Sequence, residues 1–382
     1  MESVYFDNAA TTAIRPEVLD AMVEVMRGIP GNPSSTHAYG RKAKSLIENA
    51  RKNIAQHLNV SAGELVFTSG GTEADNLIIN SVVRDLGVRH IITSAIEHHA
   101  VVHVVEQLQK VYDIKVSHVN IKSCGSIDLE HLEQLLSESN EKTLVSLMHI
   151  NNEIGSMLDV DKVCNLCKAH KALFHSDMVQ SVGHFDLDLK ETPIDFVAAS
   201  AHKFHGPKGV GFAFIRKNSG LRPLIFGGGQ ERGSRAGTEG VHNIVGMDKA
   251  LQISCEKMQE ERAKIEGLKT YFIEQLQKEI PQVKFNGKCA DFKESTYTLI
   301  NVCLPIPADK ALMTLFQLDL KGIACSKGSA CQSGSDQGSH VLNAFLSEED
   351  KQKPSVRFSF SHENTREEVD FTVGILKQFI TK

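Results

Sequence analysis

Between about residue 60 and residue 216 the chain alternates two textures. Short runs rich in β-branched and aromatic residues stand at Leu65–Thr68, Ile91–Ser94, Leu144–His149, Leu173–His175, Phe196–Ser200 and Gly211–Ile215. Longer stretches with helical patterns separate them. Such alternation predicts a largely parallel sheet with helices on its faces. Around residue 256 the pattern changes. Met258, Ile265, Leu268, Phe272 and Leu276 recur at three- and four-residue steps, the mark of an amphipathic helix. Short β runs follow at Thr296–Cys303 and Val356–Phe360, then a last helical pattern through Val369, Val373, Leu376 and Ile380. Residues 256–382 therefore read as a second, α+β unit.

In an open parallel sheet, ligands bind outside the carboxyl ends of the strands. Five of the predicted strand ends carry chemically capable side chains. They are Ser69-Gly70-Gly71-Thr72-Glu73, Glu97-His98-His99, Asn151-Asn152-Glu153, Asp177 with Gln180, and His202-Lys203. Together on one rim, they predict a site.

Composition narrows the class. With 382 residues, 41% hydrophobic and 23% charged, the chain has room for about two globular domains with a sizeable core. A net charge of −5 argues against a general affinity for nucleic acid or anionic membrane. No apolar run reaches the ~18 residues of a membrane span. Met1–Thr12 has no basic stretch followed by an apolar one, so no signal peptide is expected. The eight cysteines are scattered, which predicts reduced thiols and a cytoplasmic setting.

The motifs carry the chemistry, each with a plainer reading beside it. Ser69–Asp75 follows a strand and opens a helix, where free N–H groups favour a phosphate. Thr72 with Asp75 also fits a simple capping box. Asp177 can hold a ring nitrogen protonated, or cap a helix. Lys203, after the buried-looking run Phe196–Ser200, is placed for a Schiff base with pyridoxal phosphate; the plainer reading is a surface lysine in a turn. Arg235-Ala236-Gly237-Thr238 offers a guanidinium and a hydroxyl to an anion. Cys331 lies in the Gly/Ser-rich run 326–335, whose composition predicts a mobile loop and an exposed thiol, either reactive or incidental. Cys325 is the decoy, on what reads as a strand end. Cys164-Asn165-Leu166-Cys167 with His170 has metal-type spacing but no second pair, so a structural helix is preferred and no metal is expected.

Phe6–Thr12, Gly31–Ser35, Phe67–Glu73, His149–Gly155, Ser200–Lys203 and Gly328–Cys331 occur in that order. In these motifs the chain resembles a cysteine desulfurase of the NifS/IscS-like group, within the class V aminotransferase family. The resemblance implies a fold type I pyridoxal-phosphate enzyme, with a large cofactor-binding domain over 14–255. A small α+β domain would comprise 1–13 and 256–382 and carry the cysteine loop. It implies Lys203 as Schiff-base and proton-transfer group, Asp177 on the pyridine nitrogen, Gln180 on the ring hydroxyl and His98 stacked on the ring. Gly71, Thr72, Ser200, His202 and Thr238 would hold the phosphate, Thr238 from the partner of a homodimer. Asn152 and Arg357 would bind the substrate carboxylate, and Cys331 would attack the sulfur of L-cysteine. The products implied are alanine and a persulfide destined for a sulfur-acceptor protein. Two alternatives stay open: a selenocysteine lyase or other enzyme of the same fold, and a non-catalytic sulfur-relay subunit. Two runs depart from the family's usual form: Ser200-Ala201-His202-Lys203 has alanine where glycine is common, and Phe360-Ser361-His362-Glu363-Asn364 follows the Arg357 strand.

Overall fold

The β-rich runs fold as strands covered on both faces. The computed structural model describes residues 3–307, 311, 313–327 and 338–381. The chain opens with β1 (Val4–Tyr5), α1 (Pro16–Gly28), α2 (Ala38–His57), β2 (Leu65–Thr68), α3 (Gly71–Leu86) and β3 (His90–Ser94). Then come α4 (His99–Val111), β4 (Lys115–Val119), α5 (Leu129–Ser137), β5 (Thr143–Ser146), α6 (Val160–Ala169) and β6 (Leu173–Asp177). β7 (Phe196–Ser200), β8 (Gly211–Ile215), α7 (Val241–Glu279), β9 (Lys284–Phe285), β10 (Leu299–Cys303), β11 (Ile323–Ala324) and β12 (Ser355–Ser359) follow, and a helix over Arg366–Thr381 comes last.

Seven strands form one sheet in the order β2-β8-β7-β6-β5-β3-β4. Only β8 runs against its neighbours; the other pairings are parallel. Every residue of β7 is buried, as expected for a central strand under helices on both faces. The fold is therefore α/β with a mostly parallel sheet.

In the large sheet the C-terminal ends of two strands differ from the sequence reading, and one strand was not anticipated. β4 lies at the sheet edge with exposed Lys115 and His118, so it shows no apolar run. β5 stops at Ser146, three residues short of His149. Beyond it the chain still follows β6, through Leu147 N–H to His175 O (3.2 Å) and His149 N–H to Asp177 O (3.1 Å), but outside the regular ladder. β6 extends to Asp177, placing that carboxyl at the strand tip.

The second sheet is antiparallel, in the order β12-β10-β9. Its core gathers Phe6, Phe272, Phe358 and Phe360, with Phe6 edge-on to Phe360 at 5.5 Å between centroids. Such tilted aromatic pairs add stability beyond their buried area. β1 pairs with β11 in parallel, so the first strand joins the C-terminal elements. The change of texture near residue 256 falls inside α7, one continuous helix of 39 residues. Its Ile244–Ile253 portion packs in the large-sheet core, and Ile265–Leu276 in the second core.

Candidate active site

The carboxyl ends of the large sheet open into a cavity of about 780 Å³, open volume at its mouth included. Ala9, Ala10, Gly71, Thr72, Asp75, His98, Met148, Asn152, Asp177, Val179, Gln180, Ser200, His202, Lys203 and Arg357 line it. Of the twelve residues singled out from the sequence, the fold brings ten to this cavity.

Lys203 ends a one-turn helix that follows β7 directly. Its Nζ donates to Ala9 O (2.6 Å) and Ala10 O (2.8 Å). The N-terminal segment thus forms one wall. Asp177 is 6% exposed, and its Oδ1 accepts from Val179 N–H at 2.9 Å. Burial pushes its carboxyl up to about 6, while the Val179 N–H and the Lys203 ammonium favour the charged form. Gln180 Nε2 donates to Ala9 O at 2.9 Å.

His98 caps α4, its Nδ1 accepting from Ala100 N–H at 3.1 Å. Burial, then the charge of Lys203, pushes this imidazole down to about 4, so it is neutral near pH 7. His202 is likewise pushed down to about 4, first by burial. Its Nδ1 lies 3.2 Å from Thr11 Oγ1.

Gly71 and Thr72 start α3, with their N–H groups at the positive end of the helix. Gly70, ahead of them, sits at φ 152°, a conformation that suits glycine. A Cβ on Gly71 would lie 2.5 Å from Val179 Cγ2, so this cradle tolerates no side chain. The capping box expected from Thr72 and Asp75 does not form. Gly70 is the cap residue, Glu73 accepts from Ser69 N–H instead, and Asp75 is buried facing the cavity.

Arg357, in the middle of β12, is 1% exposed. Its Nη1 donates to Asn152 O (2.7 Å) and its Nη2 to Asp7 Oδ1 (2.8 Å), while Nε has no partner. Ser326 pairs with Arg357 through two backbone bonds and donates from Oγ to Asp7 Oδ1 at 2.8 Å.

Two predicted residues are not among the lining. Thr238 is exposed and outside the cavity of its own chain; neighbouring Arg235 is engaged by Glu73 at 2.7 Å. Cys331 lies outside the described residues. The described chain flanking that segment is tied down at both ends. Ser326 is held on Arg357 and Asp7, while Ser339 bonds Glu153 and His340 Nε2 contacts Glu97 O at 2.8 Å. Cys325 stays a thiol, because burial raises its pKa far above the usual range. Cys164 and Cys167 are buried in the core face of α6, with no third ligand-type residue grouped beside them among the described residues.

Sequence reasoning missed Asp7, Asp75 and His175. Asp7 lay within a quoted motif, yet its partner Arg357 stands 350 positions away. Asp75 was read as a cap, and His175 as the end of a strand.

A rim of donors thus surrounds a partly buried lysine and a buried carboxylate. Residues 4–371 match the family described as Aminotransferase class-V, and the chain belongs to that family, whose members depend on pyridoxal phosphate. It is similar along nearly its whole length to cysteine desulfurases. It is 38% identical to "Cysteine desulfurase IscS" of Dictyoglomus turgidum, over 99% of this chain and 95% of that protein. It is 40% identical to "Putative cysteine desulfurase IscS 1" of Bacillus subtilis, over 97% and 96%. Among solved structures, a NifS-like protein superposes with a TM-score of 0.90 at 35% identity, covering 99% of each chain. The NifS-like protein of Rickettsia africae gives 0.88 at 32%, covering 100% of each.

Proposed function

We propose that the chain is a pyridoxal-phosphate-dependent cysteine desulfurase, which turns L-cysteine into L-alanine and leaves the sulfur as a persulfide on Cys331. The observation that carries this reading is the convergence of Lys203, Asp177 and Arg357 on one cavity. The residues present fit the cofactor: a primary amine, a buried carboxyl, a neutral imidazole, and donors at a helix N-terminus beside a Cβ-excluding glycine. Bound there, pyridoxal phosphate supplies an electrophilic carbon and an electron sink for a carbanion at the substrate α-carbon.

The chain's own residues do the rest. Lys203 Nζ holds the cofactor and, once released, moves the proton at the substrate α-carbon. Asp177 holds a proton at the ring nitrogen, and Gln180 orients the ring hydroxyl. His98 covers the ring face; its neutrality avoids setting a second cation beside Lys203. Gly71, Thr72, Ser200 and His202 hold the phosphate, joined by Thr238 of a second subunit in a homodimer. Arg357, with Asn152, binds the substrate carboxylate; a guanidinium fork suits that shape. The Cys331 thiolate attacks the substrate sulfur. A sulfur–sulfur bond forms, the carbon–sulfur bond breaks, and its electron pair is protonated to give the methyl group of alanine.

The two-part division, 14–255 against 1–13 with 256–382, is supported by Val4 and Phe6 packing with the C-terminal core. The persulfide is passed to a sulfur-acceptor protein, an iron–sulfur scaffold or sulfur carrier, in the cytoplasm. Among the described residues no helix is long and apolar enough to cross a membrane.

The test is to load the purified protein with pyridoxal phosphate, add L-cysteine, and follow alanine and a protein persulfide by mass. Cys331→Ser is expected to keep the yellow colour and yield neither product. Lys203→Ala is expected to lose the absorbance of the covalently held cofactor. Full turnover in Cys331→Ser, with loss in Cys325→Ser, would overturn the choice of thiol.

A further inference from the structure

Behind the cavity lies a buried pair that the chemistry above does not use. Asp75, the fifth residue of α3, is 1% exposed and lines the cavity, yet neither carboxyl oxygen has a hydrogen-bond partner. His175, on β6, is 0% exposed. Its Nδ1 lies 2.9 Å from Ser146 Oγ. Its Nε2 has no hydrogen-bond partner and sits 3.3 Å from Asp75 Oδ1.

An ionised carboxylate buried without a donor is costly. A single proton on Asp75 removes that cost. The acid then donates O–H toward Nε2, and the neutral imidazole donates Nδ1–H to Ser146 Oγ. Two orphaned atoms are matched at once, and the tautomer of His175 is fixed.

The surrounding charges favour the same assignment. Asp177 on β6, Glu97 before α4 and Lys203 after β7 are the titratable groups that meet here, with His98 neutral. Burial, then the charges of Asp177 and Glu97, raises the Asp75 carboxyl, and burial pushes His175 down to about 3. Glu97, held by Ser94 Oγ (2.6 Å) and Met148 N–H (2.8 Å), is pushed up to about 8 by burial. Asp177 is the one carboxyl of the three with the Lys203 ammonium acting in its favour.

We propose that Asp75, paired with His175, is a positioning residue held as the neutral acid, so that Asp177 alone presents negative charge to the cofactor ring. The proposal rests on the pyridoxal-phosphate reading of this cavity. It assigns Asp75 a hydrogen-bonding task and not an electrostatic one, so an amide can replace the acid.

Two measurements test it. In cofactor-free protein at pH 7, the infrared difference between wild type and Asp75→Asn is expected to show the carbonyl stretch of a protonated carboxylic acid, lost in the variant. In loaded protein, Asp75→Asn is expected to hold pyridoxal phosphate within about twofold of wild type, and Asp75→Ala about tenfold more weakly. A carboxylate band in place of the acid band, an asparagine variant as weak as the alanine one, or an alanine variant indistinguishable from wild type would each overturn the proposal. Wild type that takes up no pyridoxal phosphate would instead sink the cofactor reading, and the infrared band would still decide the state of Asp75.

Discussion

Two ion pairs in this molecule each bury a guanidinium, meet at almost the same distance and differ in kind. Arg51 and Glu231 are both 2% exposed and meet in a two-pronged bond at 2.7 Å on each prong. Arg51 also donates to Leu65 O and lies over the Phe67 ring at 4.3 Å; Glu231 also accepts from Phe67 N–H. The pair is complete and is not part of the lining of the cavity described above. Arg357 and Asp7 share one prong at 2.8 Å, the guanidinium Nε has no partner, and Arg357 lines the cavity. The first pair clamps α2 and β2 to the segment at Glu231, which adopts φ 46° to reach it. The second holds donor capacity in reserve at a binding surface. The guanidinium of each pair is buried alike, and it is the completeness of hydrogen bonding that sets the two apart.

Breaking each pair should sharpen that contrast. Glu231→Ala strands a buried guanidinium and is expected to lower stability by roughly 3–5 kcal/mol in urea unfolding. Its kcat at low temperature should stay close to wild type. Arg357→Lys keeps a charge but loses the fork. A rise in KM for L-cysteine of about thirtyfold is expected, near 2 kcal/mol, with a smaller loss of stability. Equal losses of stability in the two variants would erase the distinction. Asp7→Asn removes the charge but keeps an acceptor oxygen for Arg357, and should lower kcat/KM only a fewfold, about 0.5–1 kcal/mol.

A smaller effect concerns pH. Folding raises the Asp177 carboxyl from 3.8 to about 6, so between those values the folded state binds more protons than the unfolded one. Stability attached to this group is present below pH 4 and is lost as pH rises toward 6. Cofactor-free Asp177→Asn should therefore show a shallower fall of stability across that window. A slope unchanged by the substitution would mean the carboxyl is not raised.

Much of this was legible along the chain. Apolar runs marked the central strands, and their polar ends marked the rim. Asp177 and Lys203 could be found that way because a strand tip is a sequence position. Arg357 could not: it sits mid-strand in the other sheet, and only the family resemblance pointed to it. Asp75 was misread because a helix's first turn can be capped either by the side chain three residues on or by glycine alone, and here Gly70 and Glu73 serve. β4 was missed because an edge strand need not be apolar. The partnership of Asp7 with Arg357 has no local signal at all, since it depends on closure of the whole chain.

That closure has a consequence for how the protein is made. Val4 N–H bonds Gly322 O, Phe6 N–H bonds Ala324 O, and Ser359 N–H bonds Phe6 O. Ala9 and Ala10, which receive the Lys203 amine, follow at once. The earliest stretch off the ribosome is thus placed by some of the last, and contacts this distant in sequence form late. A growing chain can build its large sheet early, but it holds an unfinished cavity until residues near 360 emerge. Products cut short of residue 359 therefore lack the finished cavity.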